Sequence, residues 1–239
     1  MAGLTTGGPN VDVSLLYEVN GLARQAPQWL DRVVALAGEY GIPLALVLLV
    51  LWCWRGTRRR PDEAAAAESF AALVWAPLAA GAALLLNVPL REFVGRPRPA
   101  AQHEGIEVLD PGAGISHSAF SFVSDHSTLA MALGVGLFVA HRKFGYAGIG
   151  LALLEGFTRV YMGLHYPTDV IGGFALGTAV VLLLAPLAMA LLTPAVRAVA
   201  RSPRLGVLVR ARGRVLARPV DLAAPTPPPG RGHDSDLAA

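Results

Sequence analysis

The chain has 239 residues, of which 54% are hydrophobic and only 15% charged, with a net charge of +3. A soluble domain of this length carries about 25% charged residues, so the composition excludes an ordinary soluble protein and points to one integral membrane domain with a polar tail. The single cysteine, Cys53, excludes an intramolecular disulfide, and no nucleic-acid partner is expected.

Residues 1–32 form an N-terminal segment. Its start, "MAGLTTGGPNVDVS", lacks a basic end followed by an apolar core, so no cleavable signal peptide is expected. Residues 13–30 mix apolar and polar positions and are interrupted by Pro27. They predict an amphipathic helix lying at the membrane interface. A crossing helix needs about 20 apolar residues, and five stretches within a transmembrane domain at 33–192 answer that description. They run from Val33 to Trp54, Ser69 to Leu90, His126 to Ala140, Phe144 to Leu164 and Val170 to Leu192. Cys53 reads as a small residue facing lipid or a neighbouring helix. Gly173 and Gly177 make a small-xxx-small spacing suited to close helix packing. Residues 193–239 read as a tail, basic at first and then rich in proline and alanine, disordered at its end. The fold class is therefore all-α, a membrane helical bundle of about five spans plus an interfacial helix. Oligomeric state has no signal in the sequence.

Short basic loops set the expected orientation. "RGTRRR" follows the first span, "HRK" the third, and seven arginines lie between Arg197 and Arg218. That side is expected to be cytoplasmic, with the tail resting on anionic lipid. Arg91, Arg96 and Arg98 lie on the opposite side, against the trend, which implies a job other than topology.

Three polar clusters share that opposite side. "REFVGRPRP" (91–99) is a stiff cationic turn. "FVSDHS" (122–127) offers Ser124 or Asp125 as a helix cap, and the helix start behind it is suited to an anion such as phosphate. "TRVYMGLHYPTDV" (158–170) carries Arg159, His165 and Asp169. Asp169 is close enough in sequence to take a hydrogen bond from one ring nitrogen of His165, leaving the other free to attack. Each cluster alone admits a plain reading as anchor, cap or polar turn. Ionisable groups at a membrane edge are nonetheless functional candidates. Together the clusters make a site for a phosphate ester: arginines hold the oxyanions, one histidine attacks phosphorus, and the other protonates the leaving oxygen. No metal or cofactor is required. Glu155 precedes Arg159 by four residues and is expected to pair with it on one helix face, the alternative being a protonated Glu155. Glu39 and Asn87 lie near the same ends of their spans. His103 and His117 read as solvated loop residues.

The clusters resemble the three motifs of the type 2 phosphatidic acid phosphatase superfamily, Lys-x6-Arg-Pro, Pro-Ser-Gly-His and Ser-Arg-x5-His-x3-Asp. Here they read Arg91-x6-Arg98-Pro99, Val123-Ser124-Asp125-His126 and Thr158-Arg159-x5-His165-x3-Asp169. The resemblance implies that His165 is the nucleophile, Asp169 its orienting partner and His126 the acid for the leaving group. It assigns phosphate binding to Arg91, Arg98, Ser124, Arg159 and the backbone around Asp125. Arg91 stands for lysine, Thr158 for serine, Val123 for proline and Asp125 for glycine. The last change puts a carboxylate beside an anion site, where it must point away or pair with an arginine. The Ser-Asp-His form and the stretch "AEYGI" are similar to the bacterial undecaprenyl-diphosphatases. That similarity implies a polyprenyl diphosphate substrate, hydrolysed at the outer leaflet of the plasma membrane. Two alternatives stay open: another lipid phosphate (phosphatidate, phosphatidylglycerol phosphate or another prenyl phosphate), and a non-catalytic lipid head-group binder or transporter.

Overall fold

The computed structural model describes residues 10–58, 63–110, 119–202 and 206, and among these it is all-α with no strand. Eight α-helices follow in order: α1 Val11–Gln25, α2 Gln28–Leu36, α3 Ile42–Thr57, α4 Glu63–Val94, α5 Pro99–Gln102, α6 Asp125–Ala140, α7 Arg142–Tyr161 and α8 Pro167–Arg201. A single π-helical turn, Ala37–Gly41, joins α2 to α3 without a break.

Three helical rods are long and apolar enough to cross a membrane: Gln28–Thr57, Ala64–Val94 and Pro167–Arg201. At 1.5 Å per residue each exceeds the roughly 30 Å hydrocarbon core, so their ends project into the headgroup layers. Leu85, Leu183, Leu187, Leu191 and Trp52 stand exposed along them, as lipid-facing residues do. The shorter α6 and the more polar α7 complete the bundle, and α6 is the central rod, packed by α4, α7 and α8. Its residues are buried on every side, from Ala130 to Leu137. A helix apolar all round is a buried helix, so sixteen residues suffice here.

The sequence boundaries shift at three places. Pro27 is the N-cap of α2, a position where its missing N–H costs nothing. It therefore divides the stretch 13–30: α1 ends at Gln25, and the first span starts at Gln28 instead of Val33. At the other end, α8 runs on to Arg201, so residues 193–201 continue the fifth span. The rest of the expected tail, Ser202 and Gly206 apart, lies outside the described residues. Cys53 faces its helix neighbours and is fully buried.

The glycine pair in α8 does what its spacing implies. A Cβ on Gly173 would sit 2.9 Å from the carbonyl oxygen of Ser124, and one on Gly177 would sit 2.6 Å from that of Thr128. Their absence lets α8 lie directly on the backbone of α6. Gly177→Leu must push the two backbones apart, at about 1–3 kcal/mol for such overpacking. A fall of several degrees in the thermal midpoint of the detergent-solubilised protein is the expected reading, and an unchanged midpoint contradicts this packing.

Candidate active site

The third motif has a local structural cause. Helix α7 stops at a reversal in which the Gly163 N–H bonds to the Val160 carbonyl and the Leu164 N–H to the Arg159 carbonyl. This is the Schellman arrangement, which needs a left-handed residue after the cap. Gly163 supplies it at φ +68°. Two residues later the chain starts α8, with Tyr166 extended as N-cap and Pro167 in the first helical position. The Asp169 carboxylate reaches back to accept the Tyr166 N–H at 2.9 Å. The spacing Arg-x5-His-x3-Asp thus contains one helix end, one reversal and one helix start. His165 is set in the bend between them.

His165 is buried, and its Nδ1 lies 2.9 Å from the carbonyl oxygen of Ser121. A carbonyl only accepts, so Nδ1 carries the proton and Nε2 keeps its lone pair. The expected hydrogen bond to Asp169 is not made: Nδ1 stands 3.7 Å from Oδ2, beyond hydrogen-bond reach. Asp169 is spent on the Tyr166 N–H and on Arg96, whose Nη1 donates to Oδ1 at 2.9 Å. Its charge still faces the ring. Burial, aided by the charges of Arg98 and Arg159, pushes the His165 pKa down, against the pull of Asp169.

At the head of α6, Ser124 is the N-cap and fully buried. Its Oγ accepts from the Ser127 N–H at 3.4 Å and from the Ser127 hydroxyl at 3.1 Å. The Ser124 side chain therefore closes the helix end. Asp125 and His126 take the first two helical positions. The carboxylate at the usual glycine position is satisfied from α4, where Arg91 forms an ion pair with it and the Asn87 amide donates at 2.6 Å. Asn87, fully buried, also donates to the Val123 carbonyl at 3.0 Å. Asn87 and Arg91 are one helical turn apart, so one face of α4 holds both the motif loop and its acid.

Arg159 is caged. Its Nε pairs with Glu155 at 2.8 Å and its Nη1 with Glu39 at 2.9 Å, while Nη2 donates to the Gly38 carbonyl. Glu39 and Gly38 both come from the π-helical turn, whose extra residue lets a side chain and a carbonyl face one guanidinium. Glu39 also stands 3.7 Å from His126 Nε2. The expected Glu155–Arg159 pair is formed, although Glu155 Oε2 itself has no hydrogen-bond partner. Glu39 and Asn87 both reach the cluster.

Arg98 donates to the Leu164 carbonyl at 3.4 Å, beside the His165 bend. Burial first, then the neighbouring Arg91 charge, pulls its pKa below the ordinary arginine value, opposed by Asp110, Asp125 and Asp169. Two partly desolvated guanidinium groups repel one another, and an anion between them relieves that cost. His126 and His165 are themselves electrostatic neighbours. The structure thus gathers Arg91, Arg98, Asp125, His126, Arg159, His165 and Asp169 at one end of the bundle. Among the described residues no three His, Cys, Asp or Glu side chains converge as a metal site requires. His103 sits edge-on to Tyr17 and Tyr166, with ring centroids 6.1 and 5.9 Å away; His117 lies outside the described residues.

Residues 71–192 match the PAP2 superfamily profile, half of the chain. The chain belongs to the PAP2 superfamily. Membership places it among the membrane lipid phosphatases. It is 32% identical over 144 residues to undecaprenyl-diphosphatase BcrC of Bacillus subtilis (strain 168), covering 60% of this chain and 67% of that protein. It is 25% identical over 169 residues to the putative undecaprenyl-diphosphatase YbjG of Escherichia coli (strain K12), covering 70% of this chain and 78% of that one. The crystal structure of a transmembrane PAP2-type phosphatidylglycerolphosphate phosphatase from Bacillus subtilis superposes with a TM-score of 0.52 at 25% identity, over 76% of this chain and 88% of that chain.

Sequence reasoning did not find three participants. The Ser121 carbonyl is a backbone group and has no residue signature. Arg96 stood in the cationic turn without a partner. Asp12 lies 84 residues before the arginine it binds.

Two measurements test this geometry. Attack by His165, the role proposed below, would need a neutral ring, and its pKa is depressed below the ordinary 6.5. Activity should therefore hold as pH falls to 6.5, and the acid limb of kcat/KM should lie below it; an acid limb above 6.5 contradicts the buried neutral ring. Asp125→Ala releases Arg91 and should lower kcat/KM about tenfold, or ~1.4 kcal/mol. A rise would mean that the carboxylate merely competes with phosphate.

Proposed function

We propose that the chain hydrolyses a polyprenyl diphosphate, undecaprenyl or decaprenyl, to its monophosphate through a phosphohistidine on His165. In this reading Nε2 of His165 attacks the terminal phosphorus. The bond from that phosphorus to the bridging oxygen breaks, and His126 gives a proton to the departing prenyl monophosphate. Water, deprotonated by His126, then attacks the phosphohistidine and releases inorganic phosphate. Arg91 and Arg98 hold the oxyanions and stabilise charge in the transition state. Arg159 does so from within its carboxylate cage, and the backbone at the head of α6 assists. The observation that carries the reading is the hydrogen bond from His165 Nδ1 to the Ser121 carbonyl, because it leaves the attacking nitrogen unprotonated beside the arginines. The diphosphate is favoured by the relatives BcrC and YbjG, which are named for that substrate. No metal takes part.

The site is proposed to face the outer leaflet of the plasma membrane. The ends of α3, α7 and α8 remote from it carry Arg55, Arg142, Lys143, Arg197 and Arg201, and positive charge stays inside. The tail is then cytoplasmic, and the released monophosphate can return as a carrier of cell-wall precursors. A second reading keeps the chemistry and changes the lipid. It is favoured by the similarity to the phosphatidylglycerolphosphate phosphatase structure. A non-catalytic head-group binder has no use for an imidazole held in one tautomer.

The test is phosphate release by purified protein from undecaprenyl diphosphate, undecaprenyl monophosphate, phosphatidate and phosphatidylglycerol phosphate, each with and without a chelator. The diphosphate should be hydrolysed fastest and the chelator should change nothing. His165→Ala should reduce the rate by at least ~10³-fold. Preference for a monoester transfers the protein to the second reading; survival of activity in the alanine variant ends the covalent mechanism.

A further inference from the structure

Helix α1 lies outside all three motifs, yet it is stitched to the site end of the bundle at two separate points. At one, Asn20, fully buried, donates to the carbonyls of Glu107 at 2.8 Å and Tyr161 at 2.9 Å and accepts from the Glu107 N–H at 2.8 Å. Leu16 packs beside it on Val160, Tyr166 and Val170. These contacts are sufficient to dock an amphipathic helix, and none touches a charged group of the site.

The second point is different in kind. The Asp12 carboxylate accepts the Thr168 N–H at 2.9 Å, the Thr168 hydroxyl at 2.6 Å and Arg96 Nη2 at 2.6 Å. It thus caps the first turn of α8 from another helix, where a negative charge is favoured. Burial alone would raise its pKa, but the bonds from Thr168 and Arg96 outweigh that and hold it below the ordinary carboxylate value. The Arg96 guanidinium carbon lies over the Tyr166 ring, 3.6 Å from its centroid. Its fork spans two acids: Nη2 goes to Asp12, while Nη1 goes to Thr168 at 2.7 Å and to Asp169 at 2.9 Å. Asp169 in turn faces His165 at 3.7 Å. A continuous chain of charge therefore runs from α1 to the ring: Asp12, Arg96, Asp169, His165.

We infer that Asp12 is a remote positioning residue, supplied by the N-terminal helix, which fixes Arg96 and through it the carboxylate that stands behind His165. The inference rests on the proposed role of His165 as nucleophile. Docking is already accomplished by Asn20 and Leu16, so a half-buried acid at the other end of α1 is superfluous unless the arginine must be held from both sides. With Asp12 gone, Arg96 keeps only one acid and its ring contact, and the first turn of α8 loses an acceptor. Asp169 is then free to shift against His165. Displacements near 1 Å at a reacting group cost up to about 10²-fold in rate. The effect belongs in kcat, because Asp12 holds no part of the proposed phosphate contacts.

The experiment uses the full chain in detergent micelles, with phosphate release from undecaprenyl diphosphate and from phosphatidate followed in parallel. Asp12→Asn keeps the side chain's size and should lower kcat about tenfold or more with KM within about twofold. Asn20→Ala should lower the thermal midpoint at least as much and leave kcat near the parent value. Arg96→Lys keeps the charge but cannot fork between Asp12 and Asp169, so its loss and that of Asp12→Asn should not add in the double variant. The inference is overturned by a parental kcat in Asp12→Asn, by additive losses, or by an equal kcat loss in Asn20→Ala. If Asp12→Asn does not fold, a parental kcat in Arg96→Lys alone overturns it and a reduced kcat with unchanged KM supports it. His165→Ala is measured alongside: activity there fails the nucleophile reading, whereas a dead His165→Ala beside a normal Asp12→Asn fails only the role of Asp12.

Discussion

Charges brought to the edge of a bilayer have to be paired, and that requirement shapes one end of this bundle. Arg91 is held by Asp125, Arg96 by Asp12 and Asp169, and Arg159 by Glu39 and Glu155. Breaking one of the buried Arg159 pairs costs about 3–5 kcal/mol because a bare charge is left behind, whereas the more exposed pairs contribute less. Most of these pairs join separate segments of the chain. Asp125–Arg91 ties α6 to α4, Glu39–Arg159 ties the π-helical turn to α7, and Arg96–Asp12 ties the cationic turn to α1. The apolar contacts of α6 with its neighbours set the cylinder; the ion pairs set which way its polar rim faces.

The same pairing explains why a rim so rich in arginine also holds so many carboxylates. An arginine with its rotamer fixed offers donors that need no reorganisation when an anion arrives. The cost is that attraction for the anion is moderated by the resident acids, so the site works by arrangement more than by net charge. Asp125 illustrates the balance. It stands at the head of α6, where an anion is favoured, and its side chain is still 48% exposed while Arg91 is 16% exposed. It is the most exposed of the acids in these pairs at the site, and its removal is accordingly the substitution whose sign says most about how the charges are balanced.

Much of this was legible in the sequence, because the decisive spacings are local. Glu155 and Arg159 meet because a helix brings i and i+4 together. Arg159, His165 and Asp169 meet because a helix end, a glycine reversal and a proline start fit in eleven residues. Gly173 and Gly177 signal close packing for the same periodic reason. What the sequence did not disclose is long-range or carried by backbone. Asp12 and Arg96 share no pattern across the residues between them. The tautomer of His165 is set by a main-chain oxygen. The break at Pro27 was visible as a proline, but its consequence, an unbroken rod from Gln28 to Thr57, depends on a π-helical turn that has no periodicity of its own.

The failed expectation of a His165–Asp169 hydrogen bond sharpens the chemistry. A carboxylate in direct contact competes to take the Nδ1 proton as the ring becomes cationic. Here the carbonyl of Ser121 keeps that proton in place, since a carbonyl is too weak a base to remove it. Asp169 stands 3.7 Å from Nδ1, with its charge facing the ring. At an effective dielectric near 20, unit charges at about that distance attract by about 4 kcal/mol, and in the proposed mechanism that attraction would come into play once the ring gained charge. In that proposal the two tasks of orienting the ring and stabilising its cation are divided between a backbone group and an acid. The acid is itself held in register by Arg96 and the Tyr166 N–H, so it does not close the gap and take the proton.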